Sequence, residues 1–160
     1  MDTVVIFTRK NMDVAFKQGG IGDWVVNADK VAKCAYVVAV ANANHRDSLH
    51  QKENHGHAFL IGRVKGSIPS PEYPRRRIIR LSEYAEVDIP DAWNGQQNPV
   101  RFIEIAEFVE KPSDLDWKPF PTEYVKPVDD IPPLTVQEAK IGIGKKLAIA
   151  PECIEITIRA

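Results

Sequence analysis

The sequence predicts an α+β fold, a small mixed β-barrel with one C-terminal helix followed by a final strand. Short runs rich in β-branched residues recur along the 160-residue chain and are separated by turn signals, which is typical of small barrels. A single segment near the C-terminus carries a strong helix signal. A chain of this length can bury one continuous core, so we expect residues 1–160 to form a single domain.

Four runs in the first half of the chain share β-branched and aromatic residues and are predicted as strands: residues 3–8, 23–27, 33–42 and 57–64. The alanines of the third run leave a helix as the alternative. Gly62 in the fourth run indicates a bulge or a close approach by another backbone. Residues 11–18 predict one or two helical turns, which end at a glycine-rich turn over residues 19–22.

The second half of the chain is less regular. Residues 66–74 predict a turn, residues 75–81 and 85–89 two strands, and residues 100–108 either a strand or a short helix. Residues 111–133 hold six of the twelve prolines, which excludes a regular helix or a central strand. Because this segment also carries several aromatic residues, we expect it to be a proline-rich strap packed on the domain.

The C-terminal segment carries the helix signal. Thr135 and Glu138 have the spacing of a capping box, which predicts a helix that extends to about residue 148. Pro151 ends this helix. Residues 154–158 then alternate strictly between apolar and polar side chains, which predicts a half-buried strand.

Composition excludes several classes of protein. The net charge of −1 is not that of a protein whose whole surface binds nucleic acid. The longest apolar runs are far shorter than a bilayer span, so we expect no membrane association. Cys34 and Cys153 form no C-x-x-C pair and indicate buried thiols in a reducing compartment. The first residues lack the features of a signal peptide, so a cytoplasmic protein is expected.

All four histidines fall between positions 45 and 57: His45, His50, His55 and His57. If His55 and His57 lie on a strand, they share a face and can bind a metal together with His50 and an acidic neighbour. This cluster is the basis for the alternative function, a metal-dependent enzyme. The other interpretation is a polar loop whose histidines are solvated.

Charge is unevenly distributed along the chain. Residues 60–80 contain six basic residues and a single acidic one, whereas residues 81–130 contain twelve acidic residues and four basic ones. We predict Arg75, Arg76 and Arg77 as phosphate-binding residues, and Arg63 as a ligand contact, because guanidinium groups form forked contacts with phosphate oxygens. The alternative is that the acidic half simply neutralises the basic half.

Residues 82–101 combine aromatic and amide side chains in a turn-rich segment. Trp93 and Tyr84 can stack on a flat ligand, Asn98 can recognise donors and acceptors at its edge, and Arg101 can bind its charge. We therefore predict these four residues as ligand-binding residues. The alternative is that Trp93 is a core residue and that residues 98–99 only begin a turn.

Residues 22–27 (Gly-Asp-Trp-Val-Val-Asn) and 58–64 (Ala-Phe-Leu-Ile-Gly-Arg-Val) resemble the PUA-like superfamily, particularly its EVE and ASCH branches. Residues 82–101 and 134–159 more specifically resemble a group of small bacterial proteins. The superfamily resemblance implies a small barrel that binds RNA or recognises modified bases. It also implies that Trp24 and Asn27 line a base-sized pocket, with Phe59 as a wall.

Together these features favour a binding module over an enzyme. The predicted partner is a nucleic acid or a small nucleotide ligand, and no cofactor is expected. The glycines at positions 19–22 precede a strand and so do not form a dinucleotide fingerprint, and the chain has no G-x-S-x-G motif. A third hypothesis is an interaction protein that uses the acidic strap to dock a partner.

Overall fold

The computed structural model describes residues 1–121 and 134–157 and confirms a mixed α+β fold. Its strands and helices are, in chain order, β1 (Thr3–Thr8), α1 (Met12–Gln18), β2 (Ile21–Trp24), α2 (Ala28–Ala32), β3 (Tyr36–Ala41), β4 (Ala58–Pro69), β5 (Arg77–Ile89), β6 (Val100–Ile103), β7 (Lys118–Pro119) and α3 (Val136–Leu147). None of the helices within these residues has the length and apolar character needed to cross a membrane.

The strands form one sheet that curls into a half-barrel. Its strand order is β2-β5-β4-β3-β1-β6, and β7 pairs with β5 beside this path. β1 and β3 are parallel, while β1–β6, β3–β4, β4–β5 and β2–β5 are antiparallel. The sequence prediction of a small barrel is therefore confirmed at the level of a curled sheet.

The sheet is buried on both faces, which explains why its central strands are unbroken apolar runs. Val4 and Val5 point to opposite faces of β1, and both are fully buried. Val4 belongs to a core cluster that includes Ala15 of α1 and Val31 of α2. Val5 belongs to a second cluster, which is completed by residues from the segment 92–117. Helices thus cover one face and irregular segments cover the other.

The long pair β4–β5 differs from the prediction. β4 continues to Pro69 and so includes the first residues of the predicted turn, and β5 is one strand where two were predicted. The register between the two strands shifts at three places. Each shift interrupts the regular alternation of inward and outward side chains from which a strand is recognised in a sequence. At Gly62 the close neighbour is the side chain of Leu81, because a Cβ atom there would lie 2.6 Å from Leu81 Cδ1.

Helix α2 was not predicted. The sequence suggested a strand over residues 23–27, but β2 ends at Trp24 and Asn27 caps α2. The Asn27 side chain accepts a hydrogen bond from the backbone N–H of Lys30 at 2.9 Å. A helix of five residues is too short to show a 3.6-residue period, so the capping asparagine was its only signal.

The first part of the predicted strap packs on the sheet. Phe120 is 2% exposed and contacts the rings of Phe16 and Tyr84 at centroid distances of 5.4 and 5.8 Å. Its backbone N–H donates to the carbonyl of Ser82, next to the two-residue strand β7. Residues 122–133 of the strap lie outside the described residues.

The chain divides into two compact units, Met1–Tyr124 and Val125–Ala160. The second unit contains α3, and the predicted capping box between Thr135 and Glu138 is confirmed. The predicted final strand is wrong for residues 154–157, which follow a 3₁₀ turn at Pro151–Cys153 and form no strand. An alternating sequence forms a strand only where a neighbouring strand supplies backbone hydrogen bonds. Residue 158, the last of the predicted strand, lies outside the described residues. The single-domain hypothesis stays a prediction.

Candidate functional site

A cavity of about 350 Å³ opens where β1 and β3 end. These strands are parallel, so their carboxyl ends lie at the same edge of the sheet, where ligands commonly bind in α/β proteins. The cavity is lined by Phe7, Thr8, Arg9, Lys10, Gly22, Asp23, Trp24, Asn42, His45, Tyr73, Arg76 and Pro99. Its walls therefore combine three aromatic rings, three cations and several hydrogen-bonding groups.

The curl of the sheet creates this cavity. Four steps separate β2 from β1 in the strand order, which in a flat sheet corresponds to about 19 Å. Nevertheless Lys10, two residues after β1, forms an ion pair of 2.7 Å with Asp23 of β2. The Lys10–Asp23 contact thus joins the two sides of the half-barrel across its open end.

Asp23 connects the parts of the chain that surround the cavity. It is 6% exposed, and its carboxylate accepts hydrogen bonds from Lys10 Nζ at 2.7 Å, from Gln18 Nε2 at 3.0 Å and from Ser70 Oγ. Burial acts to raise the pKa of this carboxyl group, but the hydrogen bonds from Lys10, Ser70 and Gln18 and the charge of Lys10 outweigh it. The pKa of Asp23 therefore lies below its usual value.

The loop 70–76 between β4 and β5 forms one rim of the cavity. Ser70 Oγ accepts hydrogen bonds from the backbone N–H groups of Glu72 and Tyr73 while it donates to Asp23. The backbone N–H of Ser70 donates to the carbonyl of Arg76 and closes the loop. Asp23 therefore holds in place the loop that presents Tyr73 and Arg76 to the cavity.

The aromatic walls come from three separate elements. Phe7 lies on β1, Trp24 at the end of β2 and Tyr73 in the loop 70–76. The Trp24 Nε1 atom is buried and has no hydrogen-bond partner among the described residues. The Phe7 ring stacks on the ring of Trp93, with a centroid distance of 4.5 Å and an interplanar angle of 4°. Trp93 packs against the second core cluster and is not among the residues that line the cavity.

Among the predicted ligand-binding residues, Trp24 and Arg76 meet in the cavity. Phe59 is buried in the first core cluster and Tyr84 packs against it, and neither lines the cavity. Asn98 accepts a hydrogen bond from the backbone N–H of Val100 and thereby shapes its own turn. Asn27 caps α2, as described above.

The other predicted arginines serve local contacts. Arg63 lies 4.5 Å from the Trp117 ring centroid and pairs with Glu83. Arg101 lies over the Trp93 ring and donates to the carbonyl of Ala92. The remaining predicted phosphate ligands also lie away from the cavity: Arg77 binds the Oγ and carbonyl of Ser67, while Arg75 is exposed in the loop 70–76 with φ of 65°.

The histidines do not gather around a common point. The side chain of His50 is fully buried, with Nε2 donating to the carbonyl of Thr8 at 2.8 Å and Nδ1 facing Glu53 at 3.3 Å. His55 accepts from the backbone N–H of Asn44, and His57 pairs with Asp88. Within residues 1–121 and 134–157 no three histidine, cysteine or acidic side chains are arranged to hold a metal. The metal-site hypothesis therefore gains no geometric support.

Sequence reasoning missed most of the cavity lining. Lys10, Asp23 and Tyr73 lie far apart in sequence and meet only because the sheet curls. One signal was available for Asp23, since a charged residue inside an apolar strand pattern is rarely buried unless it is paired. Asn42 was predicted as the last residue of the strand 33–42, and His45 was considered only with the other histidines.

Comparisons with protein-family models, with curated proteins and with solved structures give no match for this chain. The resemblance of residues 22–27 and 58–64 to the PUA-like superfamily thus stays a prediction.

Proposed function

We propose that this protein is a binding module for a nucleotide or a modified base, and that the cavity at the end of β1 holds the ligand. The observation that carries this proposal is the meeting of Trp24 and Arg76 in one cavity, beside Phe7 and Tyr73. Aromatic faces bind flat bases, and guanidinium groups bind phosphate. The cavity volume of about 350 Å³ lies within the range of small-molecule sites.

The polar lining can recognise the edge of a base. Asn42 and His45 supply side chains that donate and accept hydrogen bonds at the end of β3. These polar groups lie in the same cavity as the Trp24 ring and therefore suit the donor and acceptor edge of a flat base.

Binding is favoured over catalysis because the buried carboxylate of the cavity is already engaged. Asp23 accepts from three side chains, and its pKa lies below the usual value, so it is a weak proton acceptor. It serves as a structural counter-charge for Lys10 rather than as a general base. The resemblance to PUA-like domains is consistent with a binding role, and Trp24 is the residue of that resemblance that lines the cavity.

Replacing Trp24 by alanine is expected to weaken ligand binding by about tenfold or more, because stacking on an aromatic ring contributes about 1–3 kcal/mol per base. Isothermal titration calorimetry with the four ribonucleosides, their 5′-monophosphates and the methylated nucleosides N6-methyladenosine and 5-methylcytidine measures this. Trp117→Phe is the matched control, since Trp117 stacks near Tyr36 in the second core cluster and does not line the cavity. If no compound binds the wild-type protein, or if both variants bind alike, the proposed function is wrong.

A further inference from the structure

Three cations line the cavity, and carboxylates balance two of them. Lys10 is paired with the buried Asp23 at 2.7 Å. Arg9 lies at the rim with Asp47 at 3.6 Å, and both side chains of that pair are about half exposed. Arg76 has no carboxylate within ion-pair distance among residues 1–121 and 134–157. One positive charge of the described cavity is therefore left without a counter-charge.

Two contacts hold the Arg76 guanidinium in place without neutralising it. Its Nη1 donates to the backbone carbonyl of Asp23 at 2.9 Å, and its central carbon lies 5.7 Å from the Tyr73 ring centroid. Because the Asp23 carbonyl belongs to the peptide bond between Asp23 and Trp24, this hydrogen bond places the guanidinium next to the backbone of Trp24. Arginine carries five N–H donors, so donors remain for an anion. The residue is exposed, so a ligand can reach it.

We propose that Arg76 binds one phosphate group of the ligand, so that the cavity selects a nucleotide with a single phosphate over both the nucleoside and the triphosphate. This inference rests on the proposed function, because it names the anionic group of the ligand held there. The chemistry recognised is one phosphoryl group attached to a nucleoside. Such a group occurs in a free nucleotide and also as a phosphodiester inside a nucleic acid strand.

The charge balance of the site explains why a single phosphate is preferred. One unbalanced guanidinium compensates one phosphate, and Lys10 offers little further attraction because Asp23 already neutralises it. The Lys10–Asp23 pair is neutral as a whole, so it adds no positive charge that could compensate further phosphates. The lowered pKa of Asp23 keeps this carboxylate ionised at neutral pH.

The test compares wild-type protein with Arg76→Gln and with the matched control Arg75→Gln in calorimetric titrations. The ligands are the ribonucleosides, their 5′-monophosphates, their 5′-triphosphates and the dinucleoside monophosphates, in a phosphate-free buffer at 50 and 200 mM NaCl. Arg75 is the neighbouring exposed arginine of the same loop, and it does not line the cavity. Both glutamine variants remove one positive charge from the loop 70–76, so a general loss of surface charge affects them equally.

We expect the wild-type protein to bind the monophosphate about tenfold more tightly than the nucleoside, in line with one charge-assisted hydrogen-bond contact. Arg76→Gln should remove this difference and its salt dependence, and Arg75→Gln should retain both. If a dinucleoside monophosphate binds more tightly than the 5′-monophosphate, the proposal is supported and the phosphate is a phosphodiester of a nucleic acid. The reverse order supports it with a free nucleotide as the source.

Three results would overturn the inference while leaving the proposed function intact. The first is a nucleoside that binds as tightly as its monophosphate. The second is an equal loss of phosphate discrimination in the two glutamine variants. A triphosphate that binds more tightly than the monophosphate contradicts the single-phosphate selectivity. Absence of binding by every compound removes the inference together with the proposed function.

Discussion

Replacing Asp23 by alanine is expected to lower the free energy of unfolding by about 3 kcal/mol, because removing one partner of a buried ion pair leaves an uncompensated charge. Lys10 is 22% exposed on its side chain and loses its counter-charge, and Ser70 loses the acceptor of its hydroxyl. Gln18 loses an acceptor as well. Urea denaturation followed by circular dichroism measures the change as a lower midpoint.

Asp47→Ala is the matched control for this prediction. Asp47 pairs with Arg9 at 3.6 Å, but it is half exposed, so its removal is expected to change the unfolding free energy by less than about 1 kcal/mol. Equal urea midpoints for the two variants would show that the Lys10–Asp23 contact does not hold the half-barrel closed. The same Asp23→Ala variant should also bind nucleotides weakly, because the loop that carries Arg76 loses its anchor at Ser70.

The effect of Asp23 should depend on pH in a defined direction. Its pKa is lower in the folded protein than in the unfolded chain, so its contribution to stability is fully present above the unfolded pKa of about 4. The contribution is lost as pH falls through the lower, folded pKa. The difference in unfolding free energy between wild type and Asp23→Ala should therefore be constant from pH 5 to 7 and shrink below pH 4.

Phe120→Ala is expected to lower the free energy of unfolding by about 3 kcal/mol, the usual effect of removing a large buried aromatic side chain. Phe120 is 2% exposed and packs against Phe16 of α1 and Tyr84 of β5. The loss therefore affects the core beneath α1, although Phe120 lies in a segment with little regular structure. A lower urea midpoint with an unchanged m-value would show that the loss is one of packing.

Lys118→Ala separates this packing effect from the pairing of the strap. Lys118 lies on β7, two residues before Phe120, but its side chain is largely exposed and bonds Glu86 at the surface. Its replacement should leave the unfolding midpoint unchanged. If Phe120→Ala and Lys118→Ala unfold at the same urea concentration as the wild type, then the strap does not complete the core.

Sequence patterns predicted those strands whose side chains are buried along almost the whole length of the strand. β1 and β3 are buried on both faces, so their continuous apolar runs could be recognised without knowing their neighbours. β5 was divided into two predicted strands because its pairing with β4 shifts register, a property of two strands together. At residues 154–157 the sequence pattern predicted too much regular structure: the apolar–polar alternation predicted a strand, but these residues form none.

The cavity could be predicted only in part, because its lining residues are distant in sequence and are brought together by the tertiary structure. Trp24 was identified by resemblance and Arg76 by the concentration of basic residues, and both line the cavity. Trp93 stood out equally in the sequence, but it packs against the second core cluster, where it stacks on Phe7, whereas Trp24 packs against the first cluster. No local pattern separates these two tryptophans, because the difference lies in which face of the sheet each one covers.

The position of β1 also has a consequence for how the chain reaches this structure. β1 precedes both of its partners, β3 and β6, in the chain, and Asp2 beside it accepts from the backbone N–H of Ile105, 103 residues away. β4 and β5, by contrast, are joined by a short loop and can pair early. Because distant pairings form slowly, we expect the β4–β5 hairpin to nucleate folding and β1 to complete its pairing last, after translation has passed residue 103.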